Sequence, residues 1–187
     1  MIREIILTTV SKEGEPHIAP MGVHVLDNER YLIMPFRPSR TLDNLLATES
    51  AVINHCEDVR VFAGCLTGRR NWPLLPATQI QGMRLADTLG HTELRLDHFE
   101  DDPVRAKFYC RAVHEAVHAP FKGYNRAQVA VLEAAILVSR LDRLPRERIL
   151  SEIEYLTIAI EKTAGPKEKE AWDWLMERVH KHLGGAA

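Results

Sequence analysis

Strand-favouring side chains crowd the first third of the chain. Ile2 to Val10 is rich in Ile, Leu, Thr and Val, which suit a pleated, half-buried surface. Lys12-Glu13-Gly14-Glu15-Pro16 follows as a turn, with Gly open to positive φ and Pro fixed in φ. His17 to Leu26 reads as a second strand, Asp27-Asn28-Glu29 as a turn and Tyr31 to Phe36 as a third strand. This order predicts an antiparallel meander. The period then changes. Leu42, Leu45 and Leu46 form the i, i+3, i+4 stripe of a short helix, with Ser39 or Thr41 placed to cap it. Ala51 to Asn54 and Val59 to Leu66 return to strand character.

Thr67 to Gly82 holds two prolines and no clean period, so it reads as a long connection of the kind that often carries function. Leu94 to Phe99 alternates apolar and polar residues, Asp101-Asp102-Pro103 ends it, and Ala106 to Val117 supplies an antiparallel partner. From Asn125 the pattern is helical. Asn125 with Gln128 three residues later resembles a capping box. Ala127, Ala130, Val131, Ala134, Ala135 and Val138 then share one face. Pro145 suits the first turn of a second helix that carries Ile149, Ile153, Leu156 and Ile160. Gly165-Pro166 breaks it, and Trp172, Leu175, Met176, Val179 and Leu183 form a third stripe. The fold class is therefore α+β, with an antiparallel β domain over residues 1–123 and a helical region over 124–187.

With 187 residues, 45% of them hydrophobic and 27% charged, the chain can bury a substantial core. A formal net charge of -2 gives no overall positive field, so neither nucleic acid nor a membrane surface is an expected partner. Cys56, Cys65 and Cys110 are odd in number and not closely paired, which fits a reducing compartment rather than a disulfide scaffold. Arg3 and Glu4 interrupt the short apolar start, which is not expected to be a signal peptide. No apolar run approaches the roughly 20 residues needed to span a bilayer. A soluble, cytoplasmic protein is expected.

The most informative segment is Arg37-Pro38-Ser39-Arg40-Thr41-Leu42-Asp43-Asn44-Leu45. It joins a strand to a helix N-terminus, where free backbone N–H groups and the helix dipole attract an anion. Ser39 and Thr41 add hydroxyl donors, Arg37 and Arg40 add charge with forked donors suited to phosphate, and Asn44 adds an amide one turn in. The same residues also describe an ordinary capped surface helix with solvated arginines.

The run TTVSKEGEPHIAPMGVHV, followed by YLIMPFRPSRTLDNLLATESAVINHCED, resembles the FMN-binding split-barrel superfamily of flavin reductases and flavoredoxins. Gly123 to Leu141, GYNRAQVAVLEAAILVSRL, is similar to one uncharacterised branch, domain of unknown function family 447. The resemblance implies an antiparallel split β-barrel followed by a helical bundle, with FMN as cofactor. It places Ala19, Pro20, Met21 and Gly22 along the flavin ring, Ser39, Arg40, Thr41 and Asn44 around the phosphate, and Asn54 of Val52-Ile53-Asn54 near the ring edge. It also implies a twofold homodimer with each flavin between protomers. Flavin reductases often carry Lys-Asp-Thr where this chain has Ser39-Arg40-Thr41, a change of contact geometry at constant charge.

His114-Glu115-Ala116-Val117-His118 matches the H-E-x-x-H zinc pattern, which requires a helix. The aromatic and β-branched flanks predict a strand here. In a strand the two histidines share a face but lie roughly 13 Å apart, too far for one ion. No metal is expected, and the histidines read as barrel-face residues. Trp72 is a candidate flavin cover or an anchoring aromatic. Arg69-Arg70 reads as solvated charge or a partner contact, Cys56 as a small hydrophobe, and His180 and His182 as a polar helix tail. Arg126 opens a helix and is a candidate ligand contact. His17 and His24 are candidates for acid–base work only because imidazole titrates near neutrality.

These readings favour an FMN-dependent oxidoreductase with NAD(P)H or another small molecule as electron donor. The alternatives are a non-enzymatic flavin carrier or sensor, and a split barrel without flavin that serves as an interaction or haem-binding protein.

Overall fold

The computed structural model describes residues 1–26 and 29–184, so the turn expected at Asp27-Asn28 lies outside the described residues. The chain divides into two compact units, residues 1–56 with 72–121, and residues 57–71 with 122 onward.

The first unit is a closed antiparallel barrel. Its strands are β1 (Ile2–Val10), β2 (Pro16–Val25), β3 (Arg30–Ile33), β4 (Ser50–His55), β7 (Gly90–Glu100) and β8 (Lys107–Val117), ordered β1-β2-β3-β8-β7-β4. The alternation of each strand sends Ile5, Leu7, Val23, Ile33, Ala51, Ile53, Leu94, Phe108 and Cys110 into one core. Each fully buried Leu, Ile or Phe there contributes about 1.5–3 kcal/mol. Helix α1 (Arg40–Thr48) adds Leu42 and Leu45 to that core. Ser39 caps α1, its Oγ accepting the Leu42 N–H at 3.2 Å.

The opposite faces of β1 and β4 are buried too, at Ile6, Thr8, Val52 and Asn54. The connection expected over Thr67–Gly82 explains this. It holds β5 (Leu74–Pro76) and leads into β6 (Met83–Leu85), which pairs with β5 as a small hairpin and packs on β1 and β4. The hairpin escapes a reading by period because each strand has three residues and β5 includes Pro76 directly after Pro73-Leu74-Leu75.

The second unit is helical: α2 (Val59–Leu66), α3 (Arg126–Val138), α4 (Arg146–Thr163) and α5 (Pro166–Gly184). Val59–Leu66 is a correction, since its composition predicted a strand. Asp58 accepts the Arg60 N–H and caps the segment as a helix, and Val59 and Ala63 join the buried helical core. An eight-residue apolar run buried on most sides carries no period, and tertiary packing decides its state. The α3 face of Ala127, Ala130, Val131, Ala134, Ala135 and Val138 is buried as expected, as are Trp172, Leu175 and Val179 of α5. Asn125 caps α3 by accepting the Ala127 and Gln128 N–H groups. The box is not closed, because Gln128 Nε2 donates to Glu168. Pro145 stands one position before α4, as its cap residue. No helix among the described residues is long and apolar enough to cross a membrane.

Cys65 and Cys110 are buried, and burial pushes their thiols up to about 11 and about 12. Both are small hydrophobes rather than nucleophiles.

Candidate functional site

The strand-to-helix segment before α1 brings Ser39, Arg40 and the first amides of α1 together, with Thr41 and Asn44 buried. Arg40 is exposed at the first helical position and makes no hydrogen bond or ion pair among the described residues. The first carbonyl-bonded amide of α1 is that of Asp43, which donates to Ser39 O at 3.1 Å. The N–H groups of Arg40 and Thr41 therefore have no intrahelical acceptor. Arg37 donates to the Asp101 carboxylate, so its fork is partly engaged. A residue the sequence did not single out also reaches this segment: the Arg105 guanidinium lies 4.2 Å from the Phe36 ring centroid.

Two predicted ligand residues serve the fold. Asn44 is buried, and its Nδ2 donates to Thr9 Oγ1 at 3.0 Å, tying α1 to β1. Asn54 is fully buried. Its Nδ2 donates to Ile6 O and Thr8 Oγ1, and its Oδ1 accepts the Leu85 N–H at 2.7 Å. It clasps β4, β1 and β6 together. Thr41 is also buried, at 3% exposure.

The predicted ring strand lies within β2. Ala19, Pro20, Met21 and Gly22 are half-buried and pair with Leu7, Ile6, Ile5 and Glu4 of β1. Among the described residues, β2 meets β3 on its other side through His24 and Val25. From Ala19 to Val23, β2 thus pairs with β1 alone, and its second edge is open to an added partner. Helix α1 packs on both β1 and β2. His17 is half-buried at the start of β2. Arg126 is exposed at the first position of α3, in the helical unit, beside a groove of about 240 Å³ lined by Val129, Tyr155 and Ile158. Arg69 stacks 4.6 Å over Trp174 and pairs with Glu177, while Arg70 donates to Cys65 O, so both have structural roles.

Two polar groupings on β7 and β8 were not visible in the sequence. At one end of the barrel, His55 Nε2 lies 3.2 Å from Thr92 Oγ1, and Thr92 donates to Glu115 Oε1 at 3.1 Å. Burial lowers the His55 pKa below the ordinary imidazole value, which keeps the ring neutral near pH 7. His55, Thr92 and Glu115 line an open cleft of about 470 Å³ with Leu89, Val117 and Phe121. Burial likewise raises the Tyr31 hydroxyl, which donates to Glu115 at 3.5 Å.

The second grouping centres on Glu93, a fully buried carboxylate. Burial alone would raise its pKa. The N–H groups of Thr78, Gln79 and Ile80, at 2.5, 2.7 and 3.1 Å, together with His91, hold it below the ordinary carboxylate range. His91 Nε2 stands 3.2 Å from Glu93 Oε1, and His91 Nδ1 stands 2.9 Å from His118 Nε2. His114, on the predicted strand, lies with its ring centroid 5.6 Å from that of His91.

Comparison with known proteins agrees with this architecture. The DUF447 N-terminal domain, described as a protein of unknown function, matches residues 3–119, and the DUF447 C-terminal part matches residues 125–177. The FMN-bound protein MM1853 from Methanosarcina mazei is 21% identical, with a TM-score of 0.80 over 95% of this chain and 94% of that one. The 2-nitrobenzoate 2-nitroreductase NbaA from Pseudomonas fluorescens is 21% identical, with a TM-score of 0.54 over 62% of this chain and 65% of its own. Flavoredoxin from Desulfovibrio vulgaris (Miyazaki F) is 10% identical, with a TM-score of 0.55 over 63% of this chain and 70% of its own. No curated protein matches. The two matched segments together span most of the chain, on a barrel and a helical unit of the kind its residues predict, and the protein belongs to the DUF447 family.

Proposed function

We propose that this protein binds FMN and works as a flavin-dependent oxidoreductase. The observation that carries the reading is the start of α1. An exposed arginine without a partner among the described residues, two helix amides without intrahelical acceptors and a capping serine form a donor set suited to a phosphate dianion. The fold shared with FMN-bound MM1853 and with flavoredoxin supports the same choice. Arg40, Ser39 and the Arg40 and Thr41 amides would hold the phosphate. The open β2 edge from Ala19 to Val23 offers backbone groups to a heterocycle or to a second chain.

Bound flavin supplies hydride or single-electron chemistry. The protein orients it, tunes it by hydrogen bonds and shields it from water. Because the ring-facing edge lies open on one side, the complete site is assigned to a homodimer in which the neighbour covers it. NAD(P)H is the proposed electron donor.

The visible spectrum of purified protein tests the cofactor, since flavin supplies its own chromophore. Protein that neither purifies with flavin nor binds added FMN would refute the reading. Catalytic oxidation of NADH or NADPH by the loaded protein tests the activity. Full FMN binding with no turnover by either donor would instead make the protein a flavin carrier.

A further inference from the structure

The geometry points to a divalent transition-metal site, of the zinc class, built by His91, Glu93 and His114. One ligand atom from each of these residues lies within 4.8 Å of the other two. A tetrahedral zinc with bonds of about 2.1 Å needs ligand atoms about 3.4 Å apart. His91 Nε2 and Glu93 Oε1 already stand 3.2 Å apart. Bringing His114 onto the same centre takes a further approach of about 1.4 Å at most, within reach of a half-buried ring. This inference is independent of the flavin reading.

The lone-pair accounting of Glu93 supports the assignment. A carboxylate offers about four acceptor directions. Three are filled by the N–H groups of Thr78, Gln79 and Ile80, and the remaining one faces His91. A carboxylate fixed this way is oriented before any ion arrives, as outer-shell hydrogen bonds commonly orient metal ligands. His91 has the complementary arrangement. Its other nitrogen, Nδ1, has a fixed partner in His118 Nε2 at 2.9 Å. With Nδ1–H donating to His118, Nε2 presents a lone pair toward the carboxylate, and a cation between them satisfies both. Without the ion, both rings take the other tautomer: His118 Nε2–H donates to His91 Nδ1, and His91 Nε2–H donates to Glu93. The two forms hold the same number of protons and differ by an exchange of tautomers.

The site departs from the expectation of no metal drawn from the H-E-x-x-H string. That expectation measured His114 against His118 along one strand. The centre is on β7 instead. His91 pairs with Ala116, midway between the two histidines, so its ring meets both, at 5.6 and 5.1 Å between centroids. His114 ligates from one side while His118 positions His91 from the other. Glu115, the acid of the string, points to Thr92 and takes no part. Two imidazoles and one carboxylate suit zinc and its first-row neighbours, whereas calcium and magnesium favour all-oxygen shells.

The test uses the full chain, stripped of metal by chelator and free of flavin, titrated with Zn²⁺ alone in a calorimeter. Saturable uptake of about one Zn²⁺ per chain at micromolar protein is expected, with at least 100-fold weaker binding in His114→Ala. His118→Ala, acting through His91, should weaken binding about 10–100-fold. His98→Ala, on the exposed part of β7, should bind as wild type does. Co²⁺ in place of Zn²⁺ gives a second readout on wild type, visible absorption from a low-symmetry nitrogen and oxygen shell, which does not depend on any variant folding. Absence of saturable Zn²⁺ uptake by folded wild type, or equal uptake by His114→Ala, overturns the assignment.

Discussion

Replacing Asn54 with Ala separates a structural clasp from a cofactor contact. Asn54 is fully buried and holds three elements. Truncation removes the donors to Ile6 O and Thr8 Oγ1 and the acceptor for Leu85 N–H. Each of the two lost donor hydrogen bonds costs about 1 kcal/mol net. The Leu85 amide, on a residue only 2% exposed, is left buried without its acceptor, which adds about 1–3 kcal/mol. The expected loss of stability is therefore about 3–5 kcal/mol, a large share of the roughly 5–15 kcal/mol available to a domain. In a thermal melt this is a fall of about 6–20 °C. Because no atom of Asn54 is free to face a ligand, FMN affinity below the melt should stay within about threefold of wild type, under ~0.7 kcal/mol. Differential scanning fluorimetry and FMN titration at 15 °C read both quantities on the same protein. An unchanged melting temperature with FMN binding lost would show that Asn54 faces the flavin and that its hydrogen bonds are not the clasp inferred here.

Arg40→Ala should weaken FMN by about 1.5–3 kcal/mol and leave riboflavin nearly unaffected, since only FMN carries the phosphate; equal losses in paired titrations would place Arg40 away from it. Added FMN should tighten dimerisation and raise the melting temperature together, because a ligand held by two chains favours their association; sedimentation across a dilution series would contradict this if flavin-loaded protein stayed monomeric. For Asp58, burial opposes ionisation, but Arg60 and Lys167 hold the carboxylate below its ordinary value. Its stabilisation is therefore complete above the ordinary aspartate pKa and is lost as pH falls through the depressed folded value. Asp58→Asn keeps a capping side chain but loses the charge paired with Arg60 and Lys167, which should cost about 1 kcal/mol at pH 7, and the gap from wild type should close toward acid in urea melts; a gap independent of pH would refute the linkage.

The elements that could be read from the sequence are those whose environment is regular. The strand Ile2–Val10 and the small-residue face of α3 are legible in the sequence because one buried side imposes one period. Helix α2 was misread because burial on most sides erases the period, leaving only Val59, Val61 and Phe62 to suggest a strand. The candidate site divides along a similar line. Arg40 and Ser39 stand where the motif put them, at a helix start defined by local sequence. Asn44 and Asn54 belong to the same motif but are spent on Thr9 and on Ile6, Thr8 and Leu85. A motif does not separate residues kept for a ligand from residues kept for the scaffold that holds it. The grouping of His91, Glu93 and His114 was out of reach because its spacing is set by strand pairing, across a bulge at Glu93/Leu94, and not by chain distance.

The chain crosses between its two compact units three times, after Cys56, after Asn71 and after Phe121. Cutting at the obvious junction near residue 122 would therefore not yield two autonomous pieces. The N-terminal fragment would keep α2 but lose α3 and α5, uncovering Val59 and Ala63, which are almost fully buried in the helical core. The C-terminal fragment would lack the helix that fills that core. Each fragment is expected to be prone to aggregation, through a bared apolar patch in one and a missing helix in the other. Recombination at this junction would have to carry the 57–71 insert along with the helices, so the two halves are expected to have been inherited as one unit rather than shuffled as modules.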